Sequence, residues 1–337
     1  MSGNRFFNQN QTLACFPVFD AINFAKPATR FTLSCIFGLV CIVSVCINSL
    51  VVYSIYKTKQ WKNQSTFLVL VASMCDVLSS LTSDIGSAVY IMLVNEIQCK
   101  VKLIMFAISN VFVCGAAYCF CLISIDRFFR VKYLQSYPDV MTPLRYRLML
   151  LVYVCVTLFQ GVLSWIGPNS NGTGGEAAKL TMPINAIIFT STLIFYLVSV
   201  KVLRRLDKRQ NLVMEEATRR LTSMAAIYLT LYLIFYLPMI IYQILLPLFI
   251  DQLSKSQLGV LSFTILNLPS IHGDCNGIFF LVKNIPSKRL ILEESKKWRK
   301  FFTSFKSSQG DPSCPEIKDA IACPENKVVL PRPETKF

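Results

Sequence analysis

Seven long stretches of the chain are apolar and almost free of charge, and polar or basic segments separate them. Their limits in the sequence are 31–56, 67–94, 103–125, 148–167, 180–200, 221–250 and 256–282, with 20 to 30 residues in each. A helix of about 20 residues crosses the hydrocarbon layer of a membrane. The strands of a membrane barrel would instead alternate between apolar and polar residues. The pattern therefore predicts an all-α membrane protein, a seven-transmembrane helix bundle covering residues 31–282.

Basic residues are concentrated on one side of this predicted bundle. The loops after spans one, three and five, together with the C-terminal tail, hold 27 of the 34 lysines and arginines. Positive charge favours the cytoplasm. We therefore predict a multi-pass plasma membrane protein whose N-terminal segment, residues 1–30, is extracellular and whose C-terminus is cytoplasmic. Asn10 and Asn171 each begin an Asn-x-Thr sequence on the outer side, which predicts glycosylation of both.

The segment after the seventh span has a different pattern. Residues 286–306 mix basic pairs with aromatic and aliphatic side chains. This mixture predicts a C-terminal amphipathic interfacial helix, lying on the inner membrane surface with its lysines toward lipid phosphates. A helical tail in solution is the alternative interpretation. Residues 309–337 are rich in proline and charge and are expected to form a disordered cytoplasmic tail.

Composition narrows the classes of function. The chain is 53% hydrophobic and 16% charged, with a net charge of +15. In a soluble protein such a charge would indicate nucleic acid as a partner, but here it follows the membrane topology, so we expect none. Nine of the 13 cysteines lie inside apolar spans, and the chain has a single histidine. No cysteine–histidine spacing typical of zinc and no nucleophile motif is present, so we predict neither an enzyme nor a cofactor.

A few polar residues lie at middle depths of the predicted spans. Asn48 and Asp76 are in spans one and two, and His272, Asp274 and Asn276 are in span seven. A lone carboxylate in a membrane is expected to face the bundle interior and to find a polar partner there. We therefore expect a hydrated polar cluster joining the three spans, with a sodium ion near Asp76 as one way to complete it. Polar packing without a signalling role is the alternative.

Four short motifs, in order, resemble those of rhodopsin-like (class A) G-protein-coupled receptors. Asn48 and Asp76 match the asparagine of span one and the aspartate of span two, with the same separation. The other three matches are Asp126-Arg127-Phe128 for Asp-Arg-Tyr, Phe235-Tyr236-Leu237-Pro238 for Cys-Trp-x-Pro, and Asn276-Gly277-Ile278-Phe279-Phe280 for Asn-Pro-x-x-Tyr. Within that class, SIDRFFRVKYLQSY and CNGIFFLVKNIPSKR are similar to nematode chemoreceptors of the Srsx group.

The resemblance implies a mechanism and a set of roles. A small molecule or peptide would bind from outside, and span six, kinked at its proline, would swing its inner half. A heterotrimeric G protein would then enter at Arg127, with Asp126 and Phe128 beside it. The resemblance makes this a chemosensory receptor, with olfaction as its expected role. The switch and polar-network residues would be Asn48, Asp76, Tyr236, Pro238, Asp274, Asn276 and Phe280.

The same resemblance implies a ligand pocket in the outer half of the bundle. Its expected lining is Ser109, Asn110, Val113, Tyr236, Met239, Gln243, Ser262 and Ser270. Ser109 stands where amine receptors have an aspartate, which argues against a biogenic amine. Apolar walls with few polar anchors fit a neutral small molecule or the end of a peptide.

The family usually ties the top of span three to the second outer loop by a disulfide. Here residues 168–180 contain no cysteine. Cys99 is the candidate at span three, and the other outward cysteine is Cys15. The resemblance therefore leaves two hypotheses, a Cys15–Cys99 disulfide or none.

Two other functions fit a membrane bundle. In a secondary transporter, Asp76, His272 and Asp274 would form an ion or proton path, but such transporters usually have paired halves with broken helices, and the sequence shows neither. A channel of the insect-odorant type would place the N-terminus inside, against the charge distribution. The sequence therefore favours the receptor over the transporter and the channel.

Overall fold

The computed structural model describes residues 21–93, 99–133, 136–169, 174–207, 227, 230–242, 244–245 and 252–309. Some predictions lie outside these residues: the glycosylation sites Asn10 and Asn171, the pocket residue Gln243, and Cys15. Cys99 begins a helix, but its side chain is not among those described. The predicted tail after Gln309 is also outside the described part of the chain.

The regular structure of the described residues is helical throughout. We number the long helices in chain order, and α7 consists of two segments. The helices are α1 (Pro27–Lys57), α2 (Gln64–Leu93), α3 (Cys99–Tyr133), α4 (Pro143–Asn169), α5 (Gly174–Asp207), α6 (Thr230–Tyr242), α7 (Lys255–Leu266 and Leu268–Lys283) and α8 (Ile285–Gln309). Each of the first five contains a segment long and apolar enough to cross a membrane. These five helices coincide with the first five predicted spans.

Helix ends follow from local chemistry. Pro27 begins α1, where a missing N–H costs nothing because the first turn has no intrahelical acceptor for it. Asn63 caps α2 by accepting a hydrogen bond from the backbone N–H of Ser65 at 3.1 Å. Ser254 and Gln257 form a reciprocal capping box at the start of α7.

Two irregularities interrupt helices that the sequence predicted to be continuous. In α2, residues Ser80–Asp84 form a π-helical turn. The hydroxyl of Ser80 donates to the backbone carbonyl of Asp76 at 2.9 Å. This side-chain hydrogen bond competes with the backbone hydrogen bonds of a regular α-helix. In α7 the helix breaks at Asn267, because Pro269 supplies no backbone N–H and its ring disfavours the carbonyl four residues earlier. The predicted span 256–282 therefore contains a break that the sequence pattern did not indicate.

The largest apolar cluster lies around α3, which packs on α2, α4 and α5. Its buried members are Leu68, Ala72, Cys114, Tyr118, Cys119, Phe120, Ile123, Tyr146 and Tyr153. Many large aliphatic side chains remain exposed instead, including Leu39 of α1 and Leu151 of α4. An exposed apolar surface of this extent is what a bundle surrounded by lipid requires.

Short contacts close the bundle at both of its ends. A 3₁₀ turn at Ala21–Phe24 inserts Ile22, fully buried, among Phe37, Ile91 and Phe263. At the other end, which we call the Arg127 end, the Ser54 hydroxyl donates to Ser287 at 3.0 Å. The chain divides into the units 1–290 and 291–337, and α8 continues from the first into the second. Residues 286–306 thus lie within a helix, whose place at a membrane surface stays a prediction.

Candidate functional site

Asp126, near the C-terminal end of α3, is the centre of a hydrogen-bonded group that we call the Asp126 network. Its carboxylate is buried and accepts hydrogen bonds from the hydroxyls of Ser65 and Tyr137. Arg130, one turn further along α3, donates to it from Nε at 3.2 Å. Hydrogen bonds to a carboxylate from hydroxyls and a guanidinium are stronger than those between neutral groups. The network therefore joins α2, α3 and the segment after α3.

Tyr137 and Arg130 also support each other. The Arg130 guanidinium lies over the Tyr137 ring, 4.5 Å from its centroid. Burial and the hydrogen bond to Asp126 raise the pKa of Tyr137 to about 12, so its hydroxyl keeps its proton at physiological pH. Nearby, the Tyr146 hydroxyl donates to the backbone carbonyl of Gln64 at 2.7 Å, which adds α4 to this end of the bundle.

The other two residues of the motif, Arg127 and Phe128, face parts of the bundle outside the Asp126 network. Arg127 lines an internal cavity of about 20 Å³, room for one water molecule. The cavity's other lining residues include Asp76 and Asn276, so it extends from the Arg127 end toward mid-bundle. Phe128 faces α5, with its ring centroid 5.5 Å from that of Phe195. The motif thus contacts three different parts of the bundle.

The structure brings some of the predicted polar residues together and not others. Asn48 donates from Nδ2 to an Asp274 carboxylate oxygen at 3.4 Å, which joins α1 to α7. It also donates to the Ser44 hydroxyl at 3.3 Å, and Ser44 accepts from Ser80 at 2.6 Å. Ser44 and Ser80 were not predicted. Serine is so common in membrane helices that no feature of the sequence marks these two.

Asp76 is buried beside α7 rather than hydrogen-bonded to Asn48. An alanine Cβ at Gly273 would lie 2.7 Å from Cγ and Oδ1 of Asp76 and 2.8 Å from Oδ2. None of the hydrogen bonds among the described residues joins the Asp76 carboxylate to Asn48. Glycine at 273 thus permits the close approach of this carboxylate to the α7 backbone. A sodium ion near Asp76 stays a prediction.

His272 is surrounded by aromatic rings. Phe120 and Tyr236 meet it edge to face, with centroids 4.6 Å and 4.9 Å away. Tyr232 and Phe235 lie at 5.7 Å and 6.3 Å. The imidazole is within hydrogen-bond distance of the Asn276 amide, at 3.0 Å from Nε2. Edge-to-face aromatic packing of this kind is worth about 0.5–1.5 kcal/mol per pair beyond burial.

The remaining switch residues are placed as follows. Tyr236 stacks on Tyr232 at 4.7 Å in the core between α5 and α6. Pro238 lies inside α6, and the kink expected there stays a prediction. Phe280 packs against Val51 of α1 and Ile55.

The structure brings together three residues of the predicted ligand pocket. Val113, Tyr236 and Ser270 line one small cavity, of about 10 Å³. Asp76, Ser79, Ala116 and Pro269 complete its lining. The predicted pocket therefore has a common wall on α3, α6 and α7, next to the Asp76 carboxylate.

The other pocket residues make contacts within the helix bundle. Asn110 donates to Ser164 of α4, while Ser109 is half-buried. Ser262 shares a hydrogen bond with Tyr242, which links α7 to α6. Met239 packs on the Tyr232–Tyr236 cluster. These residues hold the helices around the small cavity, and a role in ligand contact stays a prediction for them.

Asp84 is the main polar residue that sequence reasoning missed. It is fully buried at the end of the π-helical turn of α2 and accepts a hydrogen bond from Ser270 at 2.9 Å. A signal was available, because Asp84 is the second acid in the predicted span 67–94. Its inward direction depends on the extra residue of the π turn, which the sequence pattern does not show.

The side chains that the structure describes include neither a group of metal ligands nor a disulfide. Among these residues no group of three or more histidine, cysteine or acidic side chains is placed to hold a metal ion. The cysteines described with side chains are free thiols: Cys35, Cys41, Cys46, Cys75, Cys114, Cys119, Cys121, Cys155 and Cys275. The choice between a Cys15–Cys99 disulfide and none stays a prediction.

Comparison with known protein families places the chain in one of them. The sequence profile described as 7 transmembrane receptor (rhodopsin family) matches residues 47–272. The match extends from the end of α1 into α7 and includes Asn48, Asp76 and the Asp126-Arg127-Phe128 motif. No curated protein sequence matches the chain.

Proposed function

The chain belongs to the rhodopsin family of seven-transmembrane receptors, and on that premise we propose that it is a chemosensory receptor that activates a heterotrimeric G protein. Members of this family are multi-pass plasma membrane receptors and not enzymes, which confirms the predicted class. The proposal adds the ligand, an extracellular small molecule or peptide, and the orientation, with the Arg127 end in the cytoplasm. The distribution of basic residues supports this orientation.

The arrangement of Asp126 and Arg127 carries the proposal. Asp126 is engaged by Ser65, Arg130 and Tyr137, while Arg127 lines the cavity that reaches Asp76. An arginine is suited to bind backbone carbonyls of a docked partner, because its planar guanidinium donates several hydrogen bonds at once. We propose that Arg127 meets the G protein and that the Asp126 network holds the adjoining loop in place.

Signal transfer is proposed to run through the aromatic group around His272. A ligand in the small cavity that Val113, Tyr236 and Ser270 line would contact Tyr236. The Tyr236 ring packs against both Tyr232 and His272. Repacking of these rings would move α6 relative to α3 and α7. The ligand shifts the equilibrium only as far as its affinities for the two packings differ.

Partners on the membrane side complete the proposal. The basic and aromatic residues of 286–306 suit anionic lipid at the inner surface. Glycosylation at Asn10 and Asn171 follows from the proposed orientation. Olfaction is the proposed role, on the resemblance to nematode chemoreceptors.

The transporter hypothesis is less well supported. Its path required His272 to exchange protons with Asp76 and Asp274. His272 instead lies among Phe120, Tyr236 and neighbouring rings and is hydrogen-bonded to Asn276. Membership of a receptor family also favours signalling over transport.

A cell assay tests the proposal. Dissociation of a heterotrimeric G protein is measured by energy transfer in cells that express increasing amounts of the receptor. The measurement is made first without ligand and then with a library of volatile and peptide compounds. We expect Arg127→Ala to lower the signal about 10–100-fold, the range for losing a charged hydrogen-bond donor. Arg147→Ala, an exposed arginine at the same end, is the matched control and should signal normally. Equal signalling by wild type and Arg127→Ala at equal surface expression would refute the role of Arg127.

A further inference from the structure

The irregular segments of α2 and α7 face each other in the outer half of the bundle. The π-helical turn Ser80–Asp84 ends at a carboxylate that bonds Ser270, three residues after the break at Asn267. Ser83, within this turn, and Ser87, one turn further along α2, each donate to the Asn267 side-chain oxygen at 3.5 Å. Both helices thus place polar side chains at the level where their backbones are irregular.

A chain of polar side chains links Asp84 to a second carboxylate, that of Asp274. Ser80 lies one helical turn before Asp84, and its hydroxyl donates to Ser44 at 2.6 Å. The Asn48 amide then joins Ser44 to Asp274, because it donates to the Ser44 hydroxyl at 3.3 Å and to an Asp274 carboxylate oxygen at 3.4 Å. We call Asp84, Ser80, Ser44, Asp274 and Ser270 the Asp84 cluster. It joins α1, α2 and α7.

The Asp84 cluster has more acceptors than donors. Asp84 has no exposed surface, and its Oδ2 accepts no hydrogen bond from any described residue. The Oδ1 of Asn48, at the inner edge of the cluster, is also buried and accepts no hydrogen bond from any described residue. A buried acceptor without a donor costs about 1–3 kcal/mol, and more when it is charged. The arrangement therefore calls for a positively charged group that several oxygens can share.

The described part of the chain supplies no such group from its own side chains. The ion pairs found there are Arg130 with Asp126 and Lys297 with Glu294. His272, the nearest basic side chain on α7, is held by aromatic rings and Asn276. Two carboxylates in the interior of a membrane bundle are costly without neutralisation.

We propose that the Asp84 cluster binds a monovalent cationic group, either a sodium ion or the ammonium group of a small ligand. Carboxylate and hydroxyl oxygens are hard ligands that suit such a cation. The site differs from the one predicted at Asp76, because Asp84 lies about 12 Å further along α2.

Ser270 gives the cluster a route to the predicted pocket. Its hydroxyl bonds Asp84, and the same residue lines the cavity shared with Val113 and Tyr236. Ser270 therefore offers a cationic group a path from the pocket to Asp84. Amine receptors have an aspartate in span three at the position of Ser109. If the ligand carries the cation, Asp84 takes the role of that aspartate.

Thermal unfolding of the purified full-length chain in lipid nanodiscs tests the proposal. The midpoint is compared in sodium chloride, methylammonium chloride and N-methylglucamine chloride at equal ionic strength, the last being too large for the cluster. A cation present at about ten times its dissociation constant should raise the midpoint by about 2–5 °C. Sodium alone raising it identifies an inorganic ion, and methylammonium raising it identifies an amine ligand.

The variants locate the site. Asp84→Asn should abolish the cation-dependent rise, and Ser270→Ala, which perturbs folding less, should reduce it. Asp139→Asn, at an exposed acid outside the Asp84 cluster, is the control and should keep the rise. The proposal is overturned if the wild type shows no cation-dependent rise. It is also overturned if the rise survives both Asp84→Asn and Ser270→Ala, or if Asp76→Asn alone abolishes it. The measurement involves no G protein, so its outcome is independent of the proposed signalling.

Discussion

Replacing Gly273 with alanine tests the close approach of α2 to α7. In the structure the added Cβ would lie 2.7 Å from Cγ and Oδ1 of Asp76, well inside normal contact distance. Gly38 of α1 offers a matched control, because an added Cβ there meets nothing within 4 Å. The two substitutions are chemically identical and differ only in what surrounds the new methyl group.

The expected effects have opposite signs. At Gly38, alanine favours the helix by about 0.5–1 kcal/mol, so the protein should become slightly more stable. At Gly273 the same gain is offset by overpacking, which typically costs about 1–3 kcal/mol. Asp76 has a short side chain and adjoins only a small cavity, so the strain is not easily relieved. We expect Gly273→Ala to be the less stable of the two variants by about 1–3 kcal/mol.

A double-mutant cycle shows whether Asp76 is the cause. Thermal unfolding of the purified protein in nanodiscs is measured for Gly273→Ala, Asp76→Ala and the double variant. Removing the carboxylate should relieve the strain, so the double variant should be more stable than the sum of the single effects by about 0.5–3 kcal/mol. Equal stability of Gly273→Ala and Gly38→Ala, or purely additive effects in the cycle, would refute the packing described here.

Two further predictions concern other parts of the chain. Tyr137→Phe removes one donor to Asp126 and should lower the free energy of unfolding by about 0.5–1.5 kcal/mol; an unchanged thermal midpoint would show that the hydroxyl is not a partner of this carboxylate. With the proposed orientation, treatment with a glycosidase should increase the gel mobility of the wild type, and Asn10→Gln combined with Asn171→Gln should remove that shift. A glycan that persists in the double variant would place glycosylation elsewhere.

The positions of the membrane helices could be predicted because the bilayer imposes a simple rule. Charge-free runs of 20 residues or more have few alternatives to a spanning helix, so the spans at 31–56 and 103–125 correspond to α1 and α3. Hydropathy contains no information on helix irregularities inside a run. The π turn in α2 and the break at Asn267 were missed for this reason.

The polar site was predicted in part. Asn48, Asp274 and Asn276 were singled out because amides and acids are rare inside membrane helices, and the structure joins Asn48 to Asp274 and Asn276 to His272. The direction of each side chain was not predictable. Asp84 is buried at the end of a π turn that hydropathy does not show, and the Tyr137 hydroxyl reaches Asp126 through a loop whose path the sequence does not specify.

The central claim is that Arg127 transmits the receptor's conformational state to a G protein. Its most direct measurement is nucleotide exchange on a purified heterotrimeric G protein mixed with the receptor in nanodiscs. We predict that the wild-type receptor and Arg147→Ala accelerate exchange over empty nanodiscs, and that Arg127→Ala does not. Acceleration by Arg127→Ala equal to that of the wild type, or none from the folded wild type with any of the common G-protein classes, would contradict the account.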